Sequence, residues 1–158
     1  MMYVPVNRRA FLPHVSFFVD TSHNARVRIA SIDSDFRRWF IDGDCDIVTQ
    51  EDQELFRIKL RHERLKIAST YLSILEKFGG EENVAISPWM IYNLMAEQDS
   101  GQEGVLLTNS QANIFFSHDF QGVLRVVRVF ESFAWNLKAC PVDDPNPVVH
   151  GCKVFVPY

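Results

Sequence analysis

The stretch "GVLRVVRVFESFAWNLK", residues 122–138, decides the fold, because it reads two ways. Valines at 123, 126, 127 and 129 favour a strand, since branched side chains suit a pleated surface. Yet Val123, Val126, Val127, Phe130, Phe133, Ala134 and Leu137 fall within about 120° of one helical face. A two-residue period would send Arg125 and Arg128 to opposite sides of a sheet. Taking periodicity as the stronger signal, the stretch is expected to be a helix. Its polar side then carries Arg125, Arg128, Ser132 and Trp135 together. Arginine beside an exposed tryptophan is the composition of a protein–protein anchor, and it can also stack on a nucleotide base.

The segment before it gives a second helix by the same logic. Thr49 followed by Asp52 is a variant of the capping box, and Glu51, Asp52 and Glu54 put negative charge at the positive end of a helix. From there Leu55, Ile58, His62, Leu65, Ala68, Leu72 and Leu75 keep a 3,4 spacing up to Gly79 and Gly80. Ile67, Tyr71, Ile74 and Phe78 widen the apolar face toward the end, so this is expected to be the long central helix of the fold. Arg57, Arg61 and Arg64 form a ridge at i, i+4 and i+7 on its outer side and are a second candidate partner surface.

Around these two helices the patterns are shorter. "HVSFFVD" and "ARVRIASI" flank the turn-forming "TSHN" and predict a hairpin. Ser34 is placed to cap a short helix through "DFRRWFI". Ser87 and Pro88 start another that reaches about Gln98. "VLLTNSQANIFFS" reads as a second hairpin and "VVHGCKVFV" as a closing strand. The expectation is a single α+β domain over residues 1–158, with a mostly antiparallel sheet packed against the long helix.

Composition narrows the function classes. With 47% hydrophobic and 23% charged residues, the chain has enough apolar surface for a core and is not a disordered segment. Residues 1–80 hold 12 basic and 11 acidic residues, whereas 81–158 hold 4 and 9, so the second half is acidic. Bulk binding to nucleic-acid phosphates is disfavoured by that balance. Cys45, Cys140 and Cys152 form no CxxC pair and suit reduced thiols in a cytoplasmic protein. No uncharged apolar run reaches the roughly 18 residues of a membrane span.

One acidic cluster raises metal chemistry. "FIDGDCDIVTQEDQELF", residues 40–56, alternates Asp42, Asp44 and Asp46 around Gly43 and Cys45. An EF-hand counted from Asp42 needs glycine sixth and glutamate twelfth, but finds Ile47 and Gln53. A looser Mg or Mn site could join Asp33 and Asp35 to Asp42, Asp44 and Asp46, while the plain reading is a solvated loop with helix caps. Cys45, Cys140, His150 and Cys152 are chemically suited to zinc but lack paired spacing. The sequence therefore favours a small binding protein, such as an adaptor, inhibitor or regulatory subunit, acting on a protein partner without a cofactor and with a homo-oligomer allowed. A metal-dependent hydrolase or phosphoryl-transfer enzyme using Asp33 to Asp46 is the first alternative. A nucleic-acid-associated modulator using the arginine ridges is the second.

Overall fold

The computed structural model, which describes residues 15–20, 29–42 and 57–158, decides residues 122–138 in favour of the valines. In chain order the elements are β1 (Val15–Asp20), β2 (Ile29–Ile32) and α1 (Ser34–Phe36), which runs on as a π-helical turn, Arg37–Ile41. Then come β3 (Arg57–Arg64), α2 (Tyr71–Lys77), a 3-10 turn at Glu81–Asn83 and α3 (Pro88–Ala96). The chain ends on β4 (Asn113–His118), β5 (Leu124–Ser132), β6 (Ala134–Pro141) and β7 (Lys153–Pro157).

All seven strands join one sheet in the order β1-β3-β7-β4-β5-β6-β2. It is mixed: β4 runs parallel to β7, and β2 runs parallel to β6. The expected architecture, a mostly antiparallel sheet on a long central helix, is overturned, because no described helix is longer than the nine residues of α3. The expected first hairpin is also absent, since β1 pairs with β3 and β2 with β6, at opposite edges of the sheet. Of the second, only the "NIFFSH" half is a strand, and it pairs with β5 and β7. The strand at the end of the chain and the helix starting at Pro88 lie where the sequence puts them.

The helix expected at residues 122–138 fails because its strand is buried on two faces. In β5, Leu124 and Val126 pack into one apolar cluster with Tyr71 and Ile74 of α2 and Phe78 at its end. Val127 and Val129 pack into the other, with Phe36 and Phe40 of the first helical segment and Ile91, Leu94 and Met95 of α3. Neighbouring strands divide in the same way, Ile114, Phe116, Val154 and Val156 toward α2 and Phe115 and Phe155 toward α3. A strand covered on both faces reads as a continuous apolar run, and such a run also satisfies a helical stripe. In residues 57–64 the stripe omitted Leu60, which is wholly buried, and a two-residue period places it correctly.

The hairpin joining β4 to β5 is fixed by Asp119. Its Oδ1 accepts from the Gln121 and Val123 amides at 2.8 and 3.0 Å, and its Oδ2 from Arg125 Nε at 3.0 Å. Burial alone would raise this carboxyl, but the amides of Val123 and Gln121 and the Arg125 guanidinium hold it below the usual range. The same guanidinium lies 3.8 Å from the centre of the Trp39 ring, and the Phe120 amide donates to the Trp39 carbonyl at 3.2 Å. The turn thus ties the sheet to the helical segment after β2.

Two measurements check this core. Trp135 is 0% exposed and donates its indole N–H to the Gln98 carbonyl at 2.8 Å, whereas Leu72 is 42% exposed. Trp135→Ala is expected to cost about 3–5 kcal/mol in chemical denaturation, and Leu72→Ala under about 1 kcal/mol. The second concerns His62, whose ring is tilted at 45° to that of Phe155 with centroids 5.4 Å apart; burial, with the Lys153 charge, lowers its pKa from 6.5 to about 4. The unfolded chain takes up this proton first, so its contribution is full above pH 6.5 and lost as pH falls toward 4. His62→Gln should remove on the order of 1–2 kcal/mol from the fall in unfolding free energy across that window.

Candidate functional site

Strand geometry redistributes the residues that the sequence grouped. Arg61 leaves the α2 face of β3, its guanidinium 5.0 Å from the Phe78 ring centre. Arg64 has the opposite parity and donates to the Gly151 carbonyl at 3.1 and 3.3 Å. Arg57 opens β3 opposite Asp20, and its side chain lies outside the described residues. The expected ridge is therefore split. Arg125 and Arg128 likewise leave opposite faces of β5, Ser132 ends the strand half-buried, and Trp135 is in the core. They share no surface, because the helix that would have aligned them is a hairpin.

The acidic residues that are described have local structural partners. Asp33 caps α1, with Oδ1 accepting from the Phe36 amide at 2.8 Å, and its carboxylate also accepts from the Ala139 amide at 3.3 Å. Asp35 pairs with Arg38 at 2.8 Å on the surface, and the Asp42 amide closes the π-helical turn onto the Arg37 carbonyl at 2.8 Å. Asp44 and Asp46 lie outside the described residues, as does Cys45. Among the described residues no three His, Cys, Asp or Glu side chains gather to hold a metal ion such as Mg, Mn or zinc. His150 is exposed, while Cys140 and Cys152 do converge, on one pocket.

That pocket, about 160 Å³, lies on the α2 side of β5 and β6 and is closed by the proline-rich loop 141–149. The loop is held by a pair of backbone bonds between Ser69 and Val148, 3.1 and 2.7 Å long. Tyr71, the first residue of α2, hydrogen-bonds the Cys140 thiol. Burial pushes Cys140 up to about 11 and raises Cys152, so both thiols stay protonated near neutrality and lack the nucleophilicity of a thiolate. Arg128 and Lys138 are directly opposed on the two strands, so both side chains leave the same face into this pocket. Arg128 Nε is buried and has no hydrogen-bond partner among the described residues. The pocket holds cationic and neutral donors and no activated base or nucleophile, an arrangement suited to binding.

A wider groove of about 450 Å³ lies along Arg61, Phe78, Glu82 and Tyr158. Lys59 sits 3.7 Å above the Tyr158 ring, which leaves one aromatic face of this groove already covered by a cation.

The other exceptional feature is the tip of the β5–β6 hairpin. Ser132 and Ala134 are paired across Phe133, whose φ is 65° and whose side chain is fully exposed. Glu131, two residues before it, rests on Gly101, where a Cβ would come to 3.0 Å from the Glu131 carboxyl; this brings the 99–103 loop up to the end of β5. Asp99 and Glu103 are exposed on that loop, and residues 78–124 contain no lysine or arginine.

Comparison of the chain with protein-family models, with curated proteins and with solved structures finds no match in any of the three. Among the described residues no helix is long and apolar enough to cross a membrane.

Two residues matter here that sequence reasoning passed over. Phe133 falls on the apolar face of the expected helix, and only a turn in "ESFAW" singles it out. Asp119 in "HDFQG" carried the signal of a turn acid two residues before glutamine and three before glycine.

The thiol assignment is directly testable. Alkylation of native Cys140 by iodoacetamide should rise about tenfold per pH unit up to pH 9.5 without levelling, as a pKa near 11 requires. Tyr71→Phe removes a bond that lowers this pKa and should slow the reaction further, as peptide mapping of the labelled protein will read.

Proposed function

We propose that the chain is a cytoplasmic, non-catalytic binding protein that docks on a protein partner through the tip of the β5–β6 hairpin. One observation carries this reading: a phenylalanine held in the left-handed region with its ring wholly in water. A bulky residue with positive φ costs of order 1–3 kcal/mol, and hairpin tips that need such a backbone ordinarily use glycine or asparagine. The exposed ring contributes nothing to the core, so folding gives no return for the strain. Burial in a partner does, since an aromatic anchor removes about 150–250 Å² from water.

The surroundings define the partner's chemistry. Glu131, two residues before Phe133, packs on Gly101, and Asp99 and Glu103 are exposed two residues to either side of that glycine, so the complementary surface is an apolar pocket with a basic rim. The protonated thiols of the inner pocket support a binding role over acid–base or nucleophilic chemistry. Their free state suits a reducing compartment.

The decisive variant is Phe133→Gly. It is expected to leave unfolding free energy unchanged or raise it by about 1 kcal/mol, because glycine adopts positive φ without strain. A photoreactive phenylalanine analogue at position 133 should crosslink to a partner in native extract. Calorimetry with that purified partner should then show an affinity loss of about 30-fold or more for Phe133→Gly. An unchanged affinity in the stable variant would reject the tip as the docking point. Association of the chain with itself, abolished by the same substitution in sedimentation, would make the partner a second copy.

A further inference from the structure

We propose that the pocket between β5, β6 and the 141–149 loop is a binding site for a small oxyanion, of the size of phosphate or a short carboxylate, held by Arg128 and Lys138. The argument begins with strand register. Arg128 and Lys138 face each other across the antiparallel β5–β6 pair, so two cations stand side by side on one face of the sheet. Directly opposed like charges destabilise a sheet unless something between them is negative.

The carboxylates at hand do not supply that charge by contact. Asp33 lines the pocket, but its oxygens accept from the Phe36 and Ala139 amides. Asp144 also lines it, with Oδ1 accepting from the Asn146 amide at 2.9 Å. Neither forms an ion pair with Arg128, whose Nε is shut off from water with no hydrogen-bond partner among the described residues. A buried guanidinium N–H left unpaired is destabilising, and its planar fork matches two oxygens of a carboxylate or phosphate. Lys138 is exposed, with its ammonium 5.5 Å from the Phe130 ring, and stands at the mouth as the second point of charge.

Size and lining set the class of ligand. About 160 Å³ accommodates roughly five water molecules, enough for an oxyanion of four to eight heavy atoms and too little for a nucleotide. Tyr71 and the two protonated thiols offer neutral donors on the remaining wall, and a protonated thiol does not repel an anion. The site differs in place and chemistry from the apolar tip at Phe133, so either assignment can fail alone.

The probes are inorganic phosphate and succinate, each compared with sodium chloride at equal ionic strength. At 20 mM, at least one of them should raise the midpoint of thermal unfolding by several degrees beyond the salt control, saturably, and the one that does identifies the source of the oxyanion. Arg128→Met should abolish the rise and Lys138→Met reduce it. Arg61→Met, which removes the other buried unpaired guanidinium edge on the same side of the sheet, should leave it intact. A rise equal to that in chloride, or one kept by Arg128→Met, overturns the proposal. Should Arg128→Met fail to fold, the wild-type protein decides: Cys140 and Cys152 line the pocket, so the bound anion should slow their alkylation at least threefold. Unchanged alkylation rates in both anions would overturn it equally.

Discussion

Everything in this fold follows from a sheet that is covered on both faces. With α2 on one side and α3 and the first helical segment on the other, each central strand must be apolar at consecutive positions. β4 meets this with "NIFF", β5 with "VV" between two arginines and β7 with "VFV". The Phe115 and Phe155 rings stack at 4.8 Å across the central strands β4 and β7, which run parallel here. Such a parallel pairing is a natural companion of double coverage, since the chain must cross over the sheet to return in the same direction.

The charged residues then take the places the two cores leave. Arg125 survives on a buried strand because Asp119 neutralises it and Trp39 covers its plane. Glu63, buried on β3, pairs with Lys77 at the end of α2 and so links sheet to helix. Arg128 has the same sequence context as Arg125, three positions away, but the opposite strand parity sends it to a face where no carboxylate answers it. Two arginines that look equivalent in sequence thus become a structural ion pair and an open guanidinium.

The two candidate binding features sit on one hairpin and differ in their physics. At its tip, backbone strain and exposed aromatic area are both unfavourable to the isolated fold, and burial of the ring removes the second and offsets the first. Between its strands, paired cations and protonated thiols make a small polar cavity. The hairpin is also anchored at several points: Trp135 binds the Gln98 carbonyl, Asp33 the Ala139 amide, and Ser31 hydroxyl donates to Asn136. Rigid support of this kind holds a tip in a conformation that its own side chain disfavours.

Short, locally closed features were legible in the sequence. The helix at Pro88 and the short helix after β2 depend on contacts within a few residues, and their signals were present as proline placement and a capping group, although the cap is Asp33 and not the expected Ser34; the strand ending the chain was marked by its apolar run, while its partners lie far away in β3 and β4. What the sequence could not settle was period. A run buried on two faces has no polar side to mark a strand, so residues 122–138 satisfied a helical stripe as well as a sheet; residues 57–64, largely charged, were joined to the apolar stripe that follows them, with Leu60 as the overlooked exception. Only partners distant in the chain break that tie. β5 is a strand because β4 and β6 lie beside it, and Trp135 is core because Gln98, 37 residues earlier, receives its indole N–H. The same long-range contacts chose which arginine was paired and which was left open, a choice that depends on strand parity and on the carboxylates of other elements, and hence on tertiary structure alone.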